Sequence, residues 1–232
     1  MSFAGIKVLT FDIVGTCIDF EKGVLDSMRL VAGNRAGSLA DDDIFKHYLA
    51  GREKYPGRAS DVMRNVLLHT AKELGLPSDE ATGDLFLRRF FQAPPFPDSV
   101  EALKRLRAKY RLVAMTNYDR VSFTANSRLL GDPFHDSVTV DEAPQPKPDP
   151  QFYAYTLGRL SASGYKQDEI MHVAQSQYHD MEPGRALGYT ICWIERRKNK
   201  GGGYGGTRPP IQFTTPDFHY TSLAELADAM GA

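Results

Sequence analysis

Four stretches of this sequence carry groups that, brought together, could run a substitution through a covalent carboxylate. Asp12 closes the apolar run Ile6-Lys7-Val8-Leu9-Thr10-Phe11, and Thr116-Asn117 closes Leu112-Val113-Ala114-Met115. Lys147 opens Lys147-Pro148-Asp149-Pro150, and Asp180 lies six residues beyond the run Ile170 to Ala174. A carboxylate nucleophile must be ionised and oriented, and a lysine within a few Å does both. Donors at Thr116 and Asn117 suit an anionic substrate group, and a second carboxylate suits activation of a water. Gly15 lets the backbone turn after Asp12, and Thr16 can hydrogen-bond the carboxylate from that turn. Alone, an aspartate at a strand end is a turn residue. The polar groups at later strand ends argue otherwise.

The elements that must position these groups follow from periodicity. Ile6 to Phe11, bounded by Gly5 and Gly15, reads as a buried strand of a parallel sheet. From Phe20 to about Phe91 strand-like alternation is absent. Apolar residues there recur at helical spacing, as in Val24-Leu25-Met28, Ile44-Tyr48-Leu49 and Val62-Val66-Leu67. Asp41-Asp42-Asp43 marks one helix start, Gly75 before Pro77 a stop, and a further helix is expected over Ser78 to Phe91. Gln92 to Ser99 is a proline-rich return. Beyond it strands are expected at 112–115, 138–140, 170–174 and 189–194, with helices between them and a last helix over 222–230. Alternation of this kind predicts an α/β, doubly wound parallel sheet, whose strand ends share one edge. The glycine-rich Lys198 to Gly206 lacks the following helix that a phosphate cradle needs, and reads as a surface loop able to fold over the site. Arg196 and Arg197 read as solvated charges.

A net charge of −1 gives no field-driven affinity for nucleic acid or membrane, and no apolar run reaches the length of a membrane span. The N-terminus lacks a signal-peptide layout, so a cytoplasmic protein is expected. Cys17 and Cys192 have no ligand spacing and read as reduced packing residues; the six histidines likewise form no metal pattern.

These motifs resemble those of the haloacid dehalogenase (HAD) superfamily. Asp12-Ile13-Val14-Gly15-Thr16 is similar to its first motif, Thr116-Asn117 to its second, Lys147-Pro148-Asp149-Pro150 to its third, and Asp180 to the last acid of its fourth. The resemblance implies a Rossmann-like core over residues 1–20 and 96–232, with a small helical cap domain, 21–95, inserted after the first strand. The linkers around Phe20 and Pro94 would be its hinges. Most members are magnesium-dependent phosphatases, with an acid two residues after the nucleophile and another five before the last acid. Here those positions are Val14 and Gln175. A hard cation prefers several charged oxygens, so neither metal nor other cofactor is expected.

The members lacking both acids are similar to L-2-haloacid dehalogenases. That resemblance implies SN2 attack by Asp12 on C2 of a small 2-substituted carboxylate, then hydrolysis of the aspartyl ester with Asp180 activating water. It implies substrate-binding roles for Val14, Thr16, Thr116, Asn117, Tyr153, Gln175 and Gln177. A cap arginine is expected at the leaving group, chosen from Arg52, Arg58 and Arg64, with Arg52 preferred. Departures at Val14, Thr116, Gln175 and Gln177 leave the leaving group open between a halide and a strained ring amine, as in L-azetidine-2-carboxylate hydrolase. A phosphatase with an unusual site is the further alternative. His179 is expected to be structural. A homodimer fits the resemblance.

Overall fold

In a computed structural model, which describes residues 2–200 and 204–232, Asp12 follows the inner strand β1 (Val8–Phe11) of a six-stranded sheet. On one side of it lie β2 (Arg111–Met115) and then β3 (Asp136–Val138). On the other lie β4 (Ile170–Ala174), β5 (Thr190–Ile194) and β6 (Phe218–Tyr220). Every pairing is parallel. All strands therefore end on one edge, and the winding direction reverses at β1, where open α/β sheets place their ligands.

Between β1 and β2 the chain makes α1 (Phe20–Ala32), α2 (Asp41–Lys54), α3 (Ala59–Glu73) and α4 (Glu80–Phe90). Asp19 caps α1 by accepting from the Lys22 N–H (3.0 Å), and Asp79 caps α4 by accepting from Thr82 (2.8 Å). That cap explains why the helix expected from Ser78 begins at Glu80. The insert has its own core, with Phe20, Met28, Ile44, Phe45, Met63, Val66 and Phe86 buried together. Its two connections run side by side: Asp19 N–H donates to Pro94 O (2.8 Å) and Phe96 N–H to Cys17 O (3.0 Å).

After the insert come α5 (Ser99–Arg107), α6 (Arg120–Leu129), α7 (Pro150–Ala162), α8 (Glu182–Ala186) and α9 (Leu223–Ala229). Strand residues alternate between two cores, as the two-residue period of a strand requires. Leu9, Phe11, Leu112, Ala114, Met171 and Val173 pack with apolar residues of α5, α6 and α9. Val8, Val113, Met115, Ile170, Ala174 and Ile191 pack with Phe152, Tyr153 and Leu160 of α7. Each fully buried large side chain contributes about 1.5–3 kcal/mol, so the strand edge carrying the polar groups rests on a platform packed on both faces.

Two strands differ from expectation. The strand expected at 138–140 is β3 at 136–138, because Thr139 turns away, giving both its N–H and Oγ1–H to Glu142 Oε2 (2.7 Å each). β6, three residues with alternating exposure at the sheet edge, is too short to be read as a strand. Among the described residues no helix is long and apolar enough to cross a membrane. Cys17 and Cys192 are free, buried thiols, and burial pushes both well above the ordinary range.

Candidate active site

The nucleophile turn is built from one glycine and one hydroxyl. Asp12 N–H still donates to Val173 O (3.0 Å), so its Cα stays in register with the sheet. Gly15 then adopts φ +92°, a conformation that favours glycine, and the chain folds back. Thr16 Oγ1 donates to Asp12 Oδ2 (2.7 Å) and accepts from the Gln175 N–H (2.9 Å). One buried hydroxyl thus ties the turn after β1 to the turn after β4.

Arg196 supports this turn from behind. Its Nε donates to Thr16 O (3.0 Å) and its Nη1 to Asp98 Oδ1 (2.8 Å), while the guanidinium lies over the Phe96 ring. This corrects the expectation of a solvated charge. The end of β5 delivers the side chain beneath the turn, and Asp98 neutralises it. Arg197 is not a free surface charge either; it pairs with Glu21 of α1.

Lys147 is fixed at both ends. The Asn117 side chain donates to Lys147 O (2.8 Å) and accepts from Lys147 N–H (2.8 Å). The ammonium donates to Asp12 Oδ1 (3.0 Å) and to Asp180 Oδ1 (2.6 Å) with the side chain 1 % exposed. Burial works against the Lys147 charge, yet the two carboxylates hold its pKa above the ordinary value. Burial pushes Asp180 up, but Lys147 and His172 more than offset this and hold it down at about 2. Burial and the Asp180 charge push Asp12 upward against the pull of Lys147 and Thr16. Asp180 lies on the turn Gln177–Met181, wound as a π-helix, with its Oδ2 buried and without a partner among the described residues.

Asp12, Lys147, Asp180, Val14, Thr116 and Asn117 all line one cavity of ≈ 260 Å³. The insert closes it with Phe20, Tyr48, Leu49 and Arg52. Of the three candidate arginines in the insert, Arg52 reaches this space, and its Nη1 is buried with no partner among the described residues. Arg58 instead pairs with Asp141 (2.6 Å) and Arg64 with Asp84 (3.4 Å). Tyr118, Ser176, His179 and Arg208 also line the cavity and were not read as substrate contacts. His179, held by Ser176 Oγ at Nδ1 (3.1 Å), is pushed down to about 4 by burial and is neutral near pH 7.

Four expected substrate contacts sit elsewhere. Thr16 stands behind Asp12 rather than in the cavity lining. Tyr153 is fully buried among apolar residues, and its hydroxyl donates to His179 O (2.7 Å), so it supports the Asp180 turn from below. Gln175 and Gln177 line a neighbouring cavity of ≈ 280 Å³, which shares Ser176, Thr207 and Arg208 with the first. Gln177 Oε1 accepts from Thr214 N–H (2.9 Å), whereas Gln177 Nε2 and Gln175 Oε1 are buried without a partner among the described residues. Of the glycine-rich loop, Gly201 to Gly203 lie outside the described residues. Gly206 and Arg208 do border the site, and Gly206 N–H donates to Glu21 (3.2 Å).

Among the described residues no group of three or more His, Cys, Asp or Glu side chains is placed to hold a metal ion. The donor set does not suit one either. Val14 offers no side-chain oxygen, Gln175 stands outside the cavity, and an ammonium already bridges the two carboxylates.

Residues 6–188 match the family described as haloacid dehalogenase-like hydrolase. Haloacetate dehalogenase H-2 of Moraxella sp. (strain B) is 31% identical over 136 residues, 57% of this chain and 58% of that protein. (S)-2-haloacid dehalogenase H-109 of Pseudomonas putida is 25% identical over 135 residues, again 57% of this chain and 58% of that protein. The chain thus spans little more than half the length of these curated relatives. In fold, the L-2-haloacid dehalogenase of Xanthobacter autotrophicus, solved with chloropropionic acid covalently bound, superposes with a TM-score of 0.76 at 21% identity, covering 98% of this chain and 99% of that one.

Proposed function

This chain belongs to the haloacid dehalogenase-like hydrolase family, and from that premise we propose that it is a metal-independent 2-haloacid dehalogenase acting on small 2-halocarboxylates. The observation that carries the reading is the bridged pair, in which Lys147 lies 3.0 Å from Asp12 and 2.6 Å from Asp180. It keeps one carboxylate ionised for attack and a second beside it for hydrolysis.

Asp12 attacks C2 of the substrate and the carbon–halogen bond breaks, the halide leaving with the bonding pair. The Arg52 Nη1 is the free donor for that anion or for the substrate carboxylate. Val14, Phe20, Leu49 and Tyr118 surround the small alkyl group. Water then bonds to the ester carbonyl of Asp12 and gives a proton to Asp180. The oxyanion collapses, the 2-hydroxy acid leaves with the proton from Asp180, and Asp12 loses its own proton to solvent. Names among the relatives, haloacetate and (S)-2-haloacid dehalogenase, fit this substrate class. So does the cavity volume of ≈ 260 Å³.

We assign residues 21–95 as a cap that closes over the core of 1–20 and 96–232. The paired connections at Cys17–Asp19 and Pro94–Phe96 would swing as one unit.

The test is single-turnover reaction of L-2-chloropropionate in ¹⁸O water with excess enzyme. Label should enter Asp12 before product. Label entering the product alone in the first turnover would refute the ester route, and strong Mg²⁺-dependent cleavage of an aryl phosphate would move the chain to the phosphatases.

A further inference from the structure

We infer that His172 is a positioning residue for the hydrolysis step, holding Asp180 so that Oδ2 alone is free to take the proton of water. The inference rests on the reading of Asp180 as the group that activates water. It concerns a buried imidazole that attack on the substrate does not require.

Thr10 and His172 are register partners across β1 and β4, so their side chains stand on the same face of the sheet. Thr10 Oγ1 lies 2.9 Å from His172 Nδ1, and His172 Nε2 lies 2.9 Å from Asp180 Oδ1. All three residues are 0 % exposed. The Tyr153 ring meets the imidazole edge-on and walls it in. An ionised carboxylate only accepts hydrogen bonds, so Nε2 carries a proton and donates it to Oδ1. The Thr10 hydroxyl satisfies the other nitrogen.

Asp180 Oδ1 therefore takes two donors, Lys147 and His172, while Oδ2 has none among the described residues. The two donors differ in what the reaction asks of them. Lys147 also serves Asp12, so its environment changes when that carboxylate becomes a neutral ester and again when the oxyanion forms. His172 contacts neither atom. It keeps Oδ1 occupied throughout, which prevents the carboxylate from rotating to exchange its oxygens. When the oxyanion develops and draws on Lys147, the proton affinity of Asp180 rises at the moment Oδ2 receives the proton.

The experiment compares wild type, His172→Leu, His172→Gln and Thr10→Val in rapid-mixing reactions with L-2-chloropropionate. Chloride release reads attack, and hydroxy-acid release with the mass of the Asp12 peptide reads hydrolysis. In His172→Leu one equivalent of chloride should appear within about threefold of the wild-type rate. Hydrolysis should slow by about tenfold or more, and the Asp12 ester should accumulate. His172→Gln, which restores an amide N–H toward Asp180, should recover most of the loss. Thr10→Val, which frees the ring to reorient, should slow hydrolysis with the burst retained, and it carries the test if His172→Leu does not fold. Attack and hydrolysis falling by one common factor, or neither changing, would assign His172 to packing and overturn the inference. A wild-type enzyme giving neither a chloride burst nor an Asp12 ester would instead overturn the functional reading beneath it.

Discussion

Replacing Lys147 by Met keeps an unbranched stem out to Cε and removes the ammonium that lies 3.0 Å from Asp12 and 2.6 Å from Asp180. Both carboxylates remain buried. Removing one partner of a buried ion pair costs about 3–5 kcal/mol, and the variant can avoid part of that cost by binding a proton. At about 1.4 kcal/mol per pKa unit, a cost of about 3 kcal/mol corresponds to a rise of about 2 units in one carboxyl. That carboxyl is Asp12. Burial and the Asp180 charge already push it up, whereas His172 still holds Asp180 down. Attack needs the ionised form, so the chloride burst of Lys147→Met should climb about tenfold per pH unit on the acid side of the new pKa. The deficit against wild type should therefore narrow as pH rises. Stability moves the opposite way. The native variant holds a proton that the unfolded chain, with an ordinary aspartate at 3.8, has already released. The variant is then most stable, relative to wild type, below its raised pKa, and shows its full loss above it. A pH-independent burst within about threefold of wild type would show that Lys147 does not keep Asp12 ionised.

Arg52→Met should lower kcat/KM for 2-chloropropionate by about tenfold to a hundredfold, the loss of a charge-assisted hydrogen bond, with little change in melting temperature. Arg58→Met and Arg64→Met, whose guanidiniums are paired outside the cavity, should stay within about threefold. Asp98 accepts from Arg196 and from Leu223 N–H, and although burial opposes its charge these partners hold its pKa below the ordinary value. A depressed carboxyl adds stability above its unfolded pKa and loses it as pH falls through the folded one. Wild type and Asp98→Asn should therefore differ most in thermal stability near neutrality and converge in acid, and a gap constant with pH would contradict this.

The sheet was legible where physics leaves little choice. Val8–Phe11, Leu112 to Met115 and Ile170–Ala174 are buried on both faces, so their runs are apolar apart from Thr10 and His172. β6 was not, because Phe218–Tyr220 is short and partly open. Asp12, Lys147 and Asp180 could be marked because ionisable residues at successive strand ends are costly unless they meet. Tyr153 shows the opposite case. Its spacing from Lys147 is right for a substrate contact, but α7 turns it into the core. Thr10 and His172 left a faint signal, one polar residue in each of two apolar strands, and only the β1–β4 register reveals them as partners. Arg196 and Arg208 lie in segments without periodicity, so the burial of the Arg196 side chain against Thr16 and Asp98, and the placing of the exposed Arg208 beside Glu53, depend on tertiary contacts that sequence spacing does not encode.

The proton inventory of the cavity bears on what can leave the carbon. An amine expelled from a strained ring needs a proton, so that route takes either an acid beside Asp12 or a cavity that accepts the ring as an ammonium. Val14 provides none. Asp180 is held ionised at about 2, and His179, at about 4, is neutral near pH 7 with Nδ1 engaged by Ser176. Lys147 is a cation, but its charge is what offsets the repulsion between the two carboxylates it bridges. The groups left over are the phenols of Tyr48 and Tyr118, which burial pushes up and so makes poor proton donors, and two guanidiniums: Arg52, with a buried donor unpaired among the described residues, and Arg208, 3.6 Å from the exposed Glu53. Guanidiniums do not give up protons in proteins, so they stabilise an anion and repel a ring ammonium. A cavity stocked in this way favours expulsion of a halide over opening of a ring amine.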